Sequence, residues 1–222
     1  MNRKMKIFSL LLAAAAIHAE PVFAQDGNKL MNGDFDSEKP LAITPKNIRQ
    51  KIGKHWRKIA QIWSKDNELK KKIYPLMNVF VEEDSAERKN VLVFENQKEI
   101  IQHLDAEGKP MIAMYLSQTV PLESSDNPEA YRFSMKAKGS FGERSITRTV
   151  MLICNFRDGT GKNAGTTGKS LLHRFAVKQQ GQWQDLSVPV TLPPGTKSCE
   201  ILIGLYGVGK FAFDDIRFEK TK

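Results

Sequence analysis

The chain has 222 residues, 41% of them hydrophobic and 27% charged, with a formal charge of +9. This composition excludes a disordered, collagen-like or disulfide-dense chain and leaves room for one sizeable core or two small ones. Past the first two dozen residues, no apolar stretch reaches membrane-spanning length.

In chain order, Arg3, Lys4 and Lys6 precede the apolar run "IFSLLLAAAAI", and "VFA" before Gln25 fits a small-x-small cleavage site. Residues 1–24 therefore read as a bacterial-type signal peptide, with no cysteine after it to carry a lipid. The mature chain, 25–222, is expected to be secreted or periplasmic. Losing three bases and Glu20 lowers its formal charge to +7. "LMNGDFD" (30–36) follows, where Asn32–Gly33 is a turn signal and Asp34 and Asp36 stand two positions apart.

Residues 45–72 hold ten bases against Asp66 and Glu68, a net of +8, so the rest of the mature chain is close to neutral. Ile48, Ile52, Trp56, Ile59 and Trp63 recur at three- and four-residue spacing, the pattern of an amphipathic helix interrupted by Gly53. Asn67 to Lys72 reads as its solvated continuation, stopped by Pro75, and "IIQHL" (100–104) as a helical turn. A solvated helix covering one sheet, cationic contacts to an acidic glycan through residues 45–72, and contact with anionic lipid are each compatible with so basic a segment. Export argues against nucleic acid as the partner, and the aromatic-basic interleaving of strand stackers is missing.

From residue 91 onward the pattern is β. "VLVF", "MIAMYLSQTVPL", "YRFSMKAKG", "SITRTVMLICNF", "SLLHRFAVKQ", "WQDLSVPVTL", "SCEILIGLYG" and "KFAFDDIRFEK" are separated by Gly, Pro, Asn and Asp. Several alternate at period two, as Tyr131, Phe133 and Met135 do against Arg132, Ser134 and Lys136. The expectation is an all-β antiparallel sandwich, one domain with a short helical basic insertion at about 40–90. Cys154 and Cys199 lie in strand-like runs, where buried thiols and a bridge both remain open.

Near the C-terminus, Phe211 and Phe213 share one strand parity and Ile216 and Phe218 the other. The switch at Asp214–Asp215 predicts a β-bulge. Two carboxylates there call for neutralisation, which a calcium ion supplies through several oxygens.

"NGDFD", "LSQTVPL", "YRFSMKAKG", "WQDLSVPVTLPPGTKSCEILIGLYG" and "FAFDDIRF", in that order, resemble the galactose-binding-like jelly-roll carbohydrate-binding modules, which include the cellulose- and xylan-binding families four, nine and twenty-two. The resemblance covers about 28–40 and 91–220. It implies a structural calcium held by the Asp34 carbonyl, the Asp36 side chain, where that family often has Glu, and the Asp214 carboxylate. It also implies a polysaccharide on one sheet face, with Trp56, Tyr115, Gln118, Arg148 and Tyr206 as contacts. Trp63, Tyr131 and Trp183 are further aromatic candidates, the last two most simply read as packing.

The histidines form no motif, and there is no Gly-x-Ser-x-Gly elbow, His-Glu-x-x-His or phosphate loop. "RDGTGKNAGTTGKS" reads as a surface loop. A non-catalytic carbohydrate-binding protein is the expected function. The rivals are a polysaccharide lyase acting on an acidic glycan, with His173–Arg174 as its minimal site, and an envelope protein-interaction module on the same fold.

Overall fold

In a computed structural model of the chain, the described residues are 27–31, 33, 35, 41–43, 49–52, 55–85, 89–105, 110–142, 149–165 and 170–221. They form two six-stranded antiparallel sheets. The first runs, in spatial order, β1 (Leu41–Ile43), β4 (Met77–Ser85), β5 (Lys89–Asn96), β12 (Gly209–Lys220), β7 (Glu129–Phe141) and β10 (Gln184–Leu192). The second runs β2 (Arg49–Ile52), β3 (Trp56–Ile62), β6 (Ile112–Pro121), β11 (Ser198–Tyr206), β8 (Thr149–Arg157) and β9 (Leu171–Ala176). The core lies between them, as alternation demands. Tyr131, Phe133 and Met135 of β7 turn inward against Ile201, Ile203 and Leu205 of β11 on the opposite layer. Each fully buried Phe or Leu there contributes roughly 1.5–3 kcal/mol.

The sandwich and the bulge appear as the sequence implied. Register in β12 shifts between Asp214 and Arg217, and Asp215 takes a left-handed φ of 49°. That extra residue lets Phe211 and Phe213 before it, and Ile216 and Phe218 after it, all reach the core.

The helix expected over 45–64 is not found where that stretch is described. Residues 49–52 and 56–62 are strands β2 and β3, so residues 41–85 supply four strands to the two sheets rather than a separate helical insert. The reason is Lys58, which occupies an inward position between Trp56 and Ala60 and so disguises a period-two pattern. The one α-helix described, α1 (Asn67–Ile73), starts where Asp66 caps it, accepting the Glu68 and Leu69 N–H groups at 2.9 and 3.0 Å. Lys70, Lys71 and Lys72 complement its C-terminal dipole, and the chain passes through Pro75 into a 3-10 turn. "IIQHL" lies largely in a second 3-10 helix, Lys98–His103.

The opening stretch is sewn to β12. The Asn28 side-chain oxygen accepts the Phe218 N–H at 2.8 Å while its amide donates to the Ile216 carbonyl at 3.1 Å, and the Ile216 N–H reaches Gly33 at 2.9 Å. Only glycine fits at 33, because a Cβ would stand 2.0 Å from the Ile216 oxygen. Leu30 and Phe35 then drop into the core. Cys154 and Cys199 are buried free thiols on adjacent strands, both facing inward. No helix among the described residues is long and apolar enough to cross a membrane.

Candidate functional site

Alternation leaves each sheet an outer face, and the two differ. On the first sheet Trp183 and Phe80 lie over Val91, Val93 and Ala212. Lys138 sits over the Trp183 ring and Lys210 over Phe80, at 5.1 and 5.4 Å from the centroids. The cations pair with acids in turn: Lys138 with Asp84 at 2.6 Å, Lys210 with Glu82 at 3.8 Å and Lys136 with Asp215 at 3.3 Å. This face is closed by its own side chains. Trp183 is therefore a packing residue, and so is Tyr131, stacked on Phe218 inside the sandwich.

The outer face of the second sheet is built differently. Register sets two rows across its strands, Arg57–Ser117–Leu202–Ile153–Leu172 and Ile59–Tyr115–Gly204–Met151–Arg174. At one end stands an aromatic group. The Tyr115 ring lies flat across Gly204, where a Cβ would come within 2.4 Å of it, and its hydroxyl donates to that of Tyr206 at 2.6 Å. Tyr206 stacks in turn on Trp63, with centroids 5.6 Å apart and planes at 22°. Trp63, just past β3, keeps 39% of its surface exposed, and its neighbour Met111 keeps 42%. Along the face runs a fixed polar ladder. Arg57 meets Glu200 at 3.4 Å, Asn155 donates to the other Glu200 oxygen at 3.0 Å, and Ser170 donates to Asn155 at 2.6 Å. Tyr115 is pushed well above the usual phenol range, first by burial and then by Tyr206, so it stays protonated.

The expected contacts divide. Tyr115 and Tyr206 come together on this face, although Tyr115 is almost covered and acts through Tyr206. Two expectations need correcting. Trp56 turns inward, 1% exposed, its ring 6.0 Å from Phe35, because odd-numbered positions of β3 face out. Gln118 also turns inward: its oxygen accepts the Met31 N–H at 2.8 Å and its amide donates to the Met31 carbonyl at 3.0 Å, so it holds the opening segment. Arg148 lies outside the described residues. His173 packs edge-on against Phe175 on the inner side, while Arg174 faces outward.

Of the expected metal ligands, Asp34 and Asp36 also lie outside the described residues. Asp214 is buried at the bulge, accepting the Asp215 N–H at 2.7 Å. Among the described residues no three His, Cys, Asp or Glu side chains gather as a metal site.

Arg57, Glu200 and Asn155 escaped the sequence reading, and Trp63 was placed on a helix. A signal for Glu200 and Tyr206 was present in "SCEILIGLY". With Cys199, Ile201, Ile203 and Leu205 inward, Glu200, Leu202, Gly204 and Tyr206 must share the other face.

No family model matches the chain, and no curated protein matches it. Solved structures do. The enzymatically active domain of tailspike protein 4 from bacteriophage CBA120 matches with a TM-score of 0.54 and 14% identity, over 88% of this chain and 22% of that one. TmCBM61 in complex with β-1,4-galactotriose matches at TM-score 0.45 and 15% identity, over 87% and 99% of the two chains. The CBM22-1 xylan-binding domain from Paenibacillus barcinonensis matches at 0.41 and 12%, over 83% and 96%. The chain thus spans about a fifth of the tailspike chain and nearly the whole of the two modules. At 14% identity, the likeness to the tailspike domain is one of fold alone.

Proposed function

We propose that the protein is an exported, non-catalytic carbohydrate-binding protein that takes a polysaccharide on the outer face of its second sheet. The observation that carries this reading is the exposed Trp63–Tyr206 stack at one end of that face, with the Arg57–Glu200–Asn155 ladder crossing it six residues further along the strands, about 20 Å away. An aromatic ring offers an apolar face to sugar C–H surfaces, while preset charged and amide groups bond hydroxyls at little ordering cost. Export rests on the leader pattern at 1–24. The lyase alternative needs a phenol or imidazole that gives up or takes a proton readily, and burial works against this at Tyr115.

A glycan array of neutral and acidic polysaccharides, followed by calorimetry, tests the reading. Trp63→Ala is expected to weaken binding about tenfold or more with the fold intact. Binding that ignores Trp63, or none to any glycan, sinks the site; release of unsaturated uronate ends makes the protein a lyase instead.

The reading includes a structural calcium at the β12 bulge, held by Asp214 with the Asp34 carbonyl and the Asp36 side chain. In its support, Asp214 is a buried carboxylate beside the backbone of the opening segment, and an all-oxygen donor set suits a hard cation. The ion would neutralise carboxylates and tie the first segment to the last strand.

A further inference from the structure

The two outer faces also differ in charge. On the first sheet Lys136, Lys138, Lys210 and Arg217 each sit with a carboxylate. On the second, the outward positions of the described strands carry Arg57, Arg157 and Arg174, and the single acid among them is Glu200. Glu200 is already engaged by Arg57 and Asn155. Arg157 bonds the neutral amide of Asn163, and Arg174 is exposed with no ion pair among the described residues. Apolar surface lies between the cations, at Leu202, Ile153 and the exposed Leu172.

Resting on the carbohydrate-binding reading, we infer that the ligand of this face is an acidic glycan, whose anionic groups meet Arg157 and Arg174 while its sugar faces pack on Trp63 and Tyr206. Arg157 lies six residues along β8 from Met151, the register partner of Arg174, so about 20 Å separates the two rows. The two arginines therefore contact different units of one chain, so an extended polymer is selected over a monosaccharide. A guanidinium fork binds a carboxylate or a sulfate through two hydrogen bonds, and the apolar rows lower the local dielectric around it. Part of the basicity of residues 45–72 then has a location, since β3 turns Arg57 onto this face.

The test is calorimetry of the mature protein with polygalacturonate, with its fully methyl-esterified form and with a sulfated galactan, at low and moderate salt. Polygalacturonate or the sulfated polymer should bind at least tenfold tighter than the ester, and which of the two does so names the anionic group. Arg174→Gln should cost about three- to tenfold on the acidic polymer and nothing on the neutral one. A triple Lys70→Gln, Lys71→Gln, Lys72→Gln variant, altered only on exposed α1, should bind as the parent does. Equal affinity for acid and ester, with Trp63→Ala still weakening both, overturns the inference and leaves the carbohydrate reading standing. A loss in the lysine variant equal to that in Arg174→Gln also overturns it, since any cation then suffices. No binding to any of the three overturns both.

Discussion

Lys58 is the residue whose environment least suits its chemistry. Its side chain is fully buried, its ammonium donates to the Met77 carbonyl at 2.7 Å, and burial lowers its pKa from 10.5 to about 8. Between those values the unfolded chain binds more protons than the folded one, so stability should climb as pH rises from about 8 to 10.5. Below pH 8 the penalty is at most about 3 kcal/mol. Lys58→Met, which removes it but orphans the Met77 carbonyl, should gain about 1–2 kcal/mol at pH 7, and near pH 10.5, where the penalty is gone, it should instead cost about 1–2 kcal/mol. Urea unfolding at the two pH values measures this; a gain independent of pH would mean that Lys58 is not desolvated. Gly204 is a second sensitive point. Gly204→Ala drives a methyl into the Tyr115 ring and should cost about 1–3 kcal/mol, with loss of glycan affinity through displaced Tyr206. A variant of unchanged melting temperature and affinity would show that the ring has room to lift.

At the scale of elements, the opening segment and β12 act as one unit. Gln118→Leu removes both partners of the Met31 backbone and should destabilise by about 1–3 kcal/mol. Hydrogen exchange should then quicken in 27–35 and the second half of β12 before the rest of either sheet. Exchange that rises evenly everywhere would refute the coupling. Removal of the proposed calcium would act on the same unit. At a hundredfold excess over its Kd the ion would stabilise by roughly 2.7 kcal/mol. For a chain of ~200 residues, chelation should lower the melting temperature by on the order of 5–10 °C. Asp214→Asn should abolish that shift, and a chelator without effect on the parent removes the metal from the account. How far the elements could be read followed their chemistry. β7 alternates cleanly, and the parity switch at Asp214–Asp215 marks the bulge of β12 through residues three apart in the chain. The pattern of β3 is hidden because a buried lysine stands in for an apolar residue and an apolar one, Ile59, occupies its outer side.

At the scale of the whole molecule, the two sheets divide the labour. The first covers its outer face with Trp183 and ion pairs, and the second leaves Trp63, Met111 and Leu172 exposed among arginines. Glycan affinity should fall with salt by less than that of a lysine-rich tail, since part of the contact is aromatic and apolar. Titrations at two ionic strengths check this, and complete loss at moderate salt would reduce the face to a cation patch.

Composition and alternation by themselves determined the all-β sandwich, the inward rows of β7, β11 and β12, the bulge and the segregation of positive charge. These are properties of neighbours along one strand, where period two leaves little choice of face. Only the tertiary structure decided that Trp56 and Gln118 turn inward, and that Trp63, Tyr115 and Tyr206 meet. Those residues come from β3, β6 and β11, separated by dozens of residues and joined only by cross-strand register. Register is settled by the whole core at once, and no single stretch of the chain carries it.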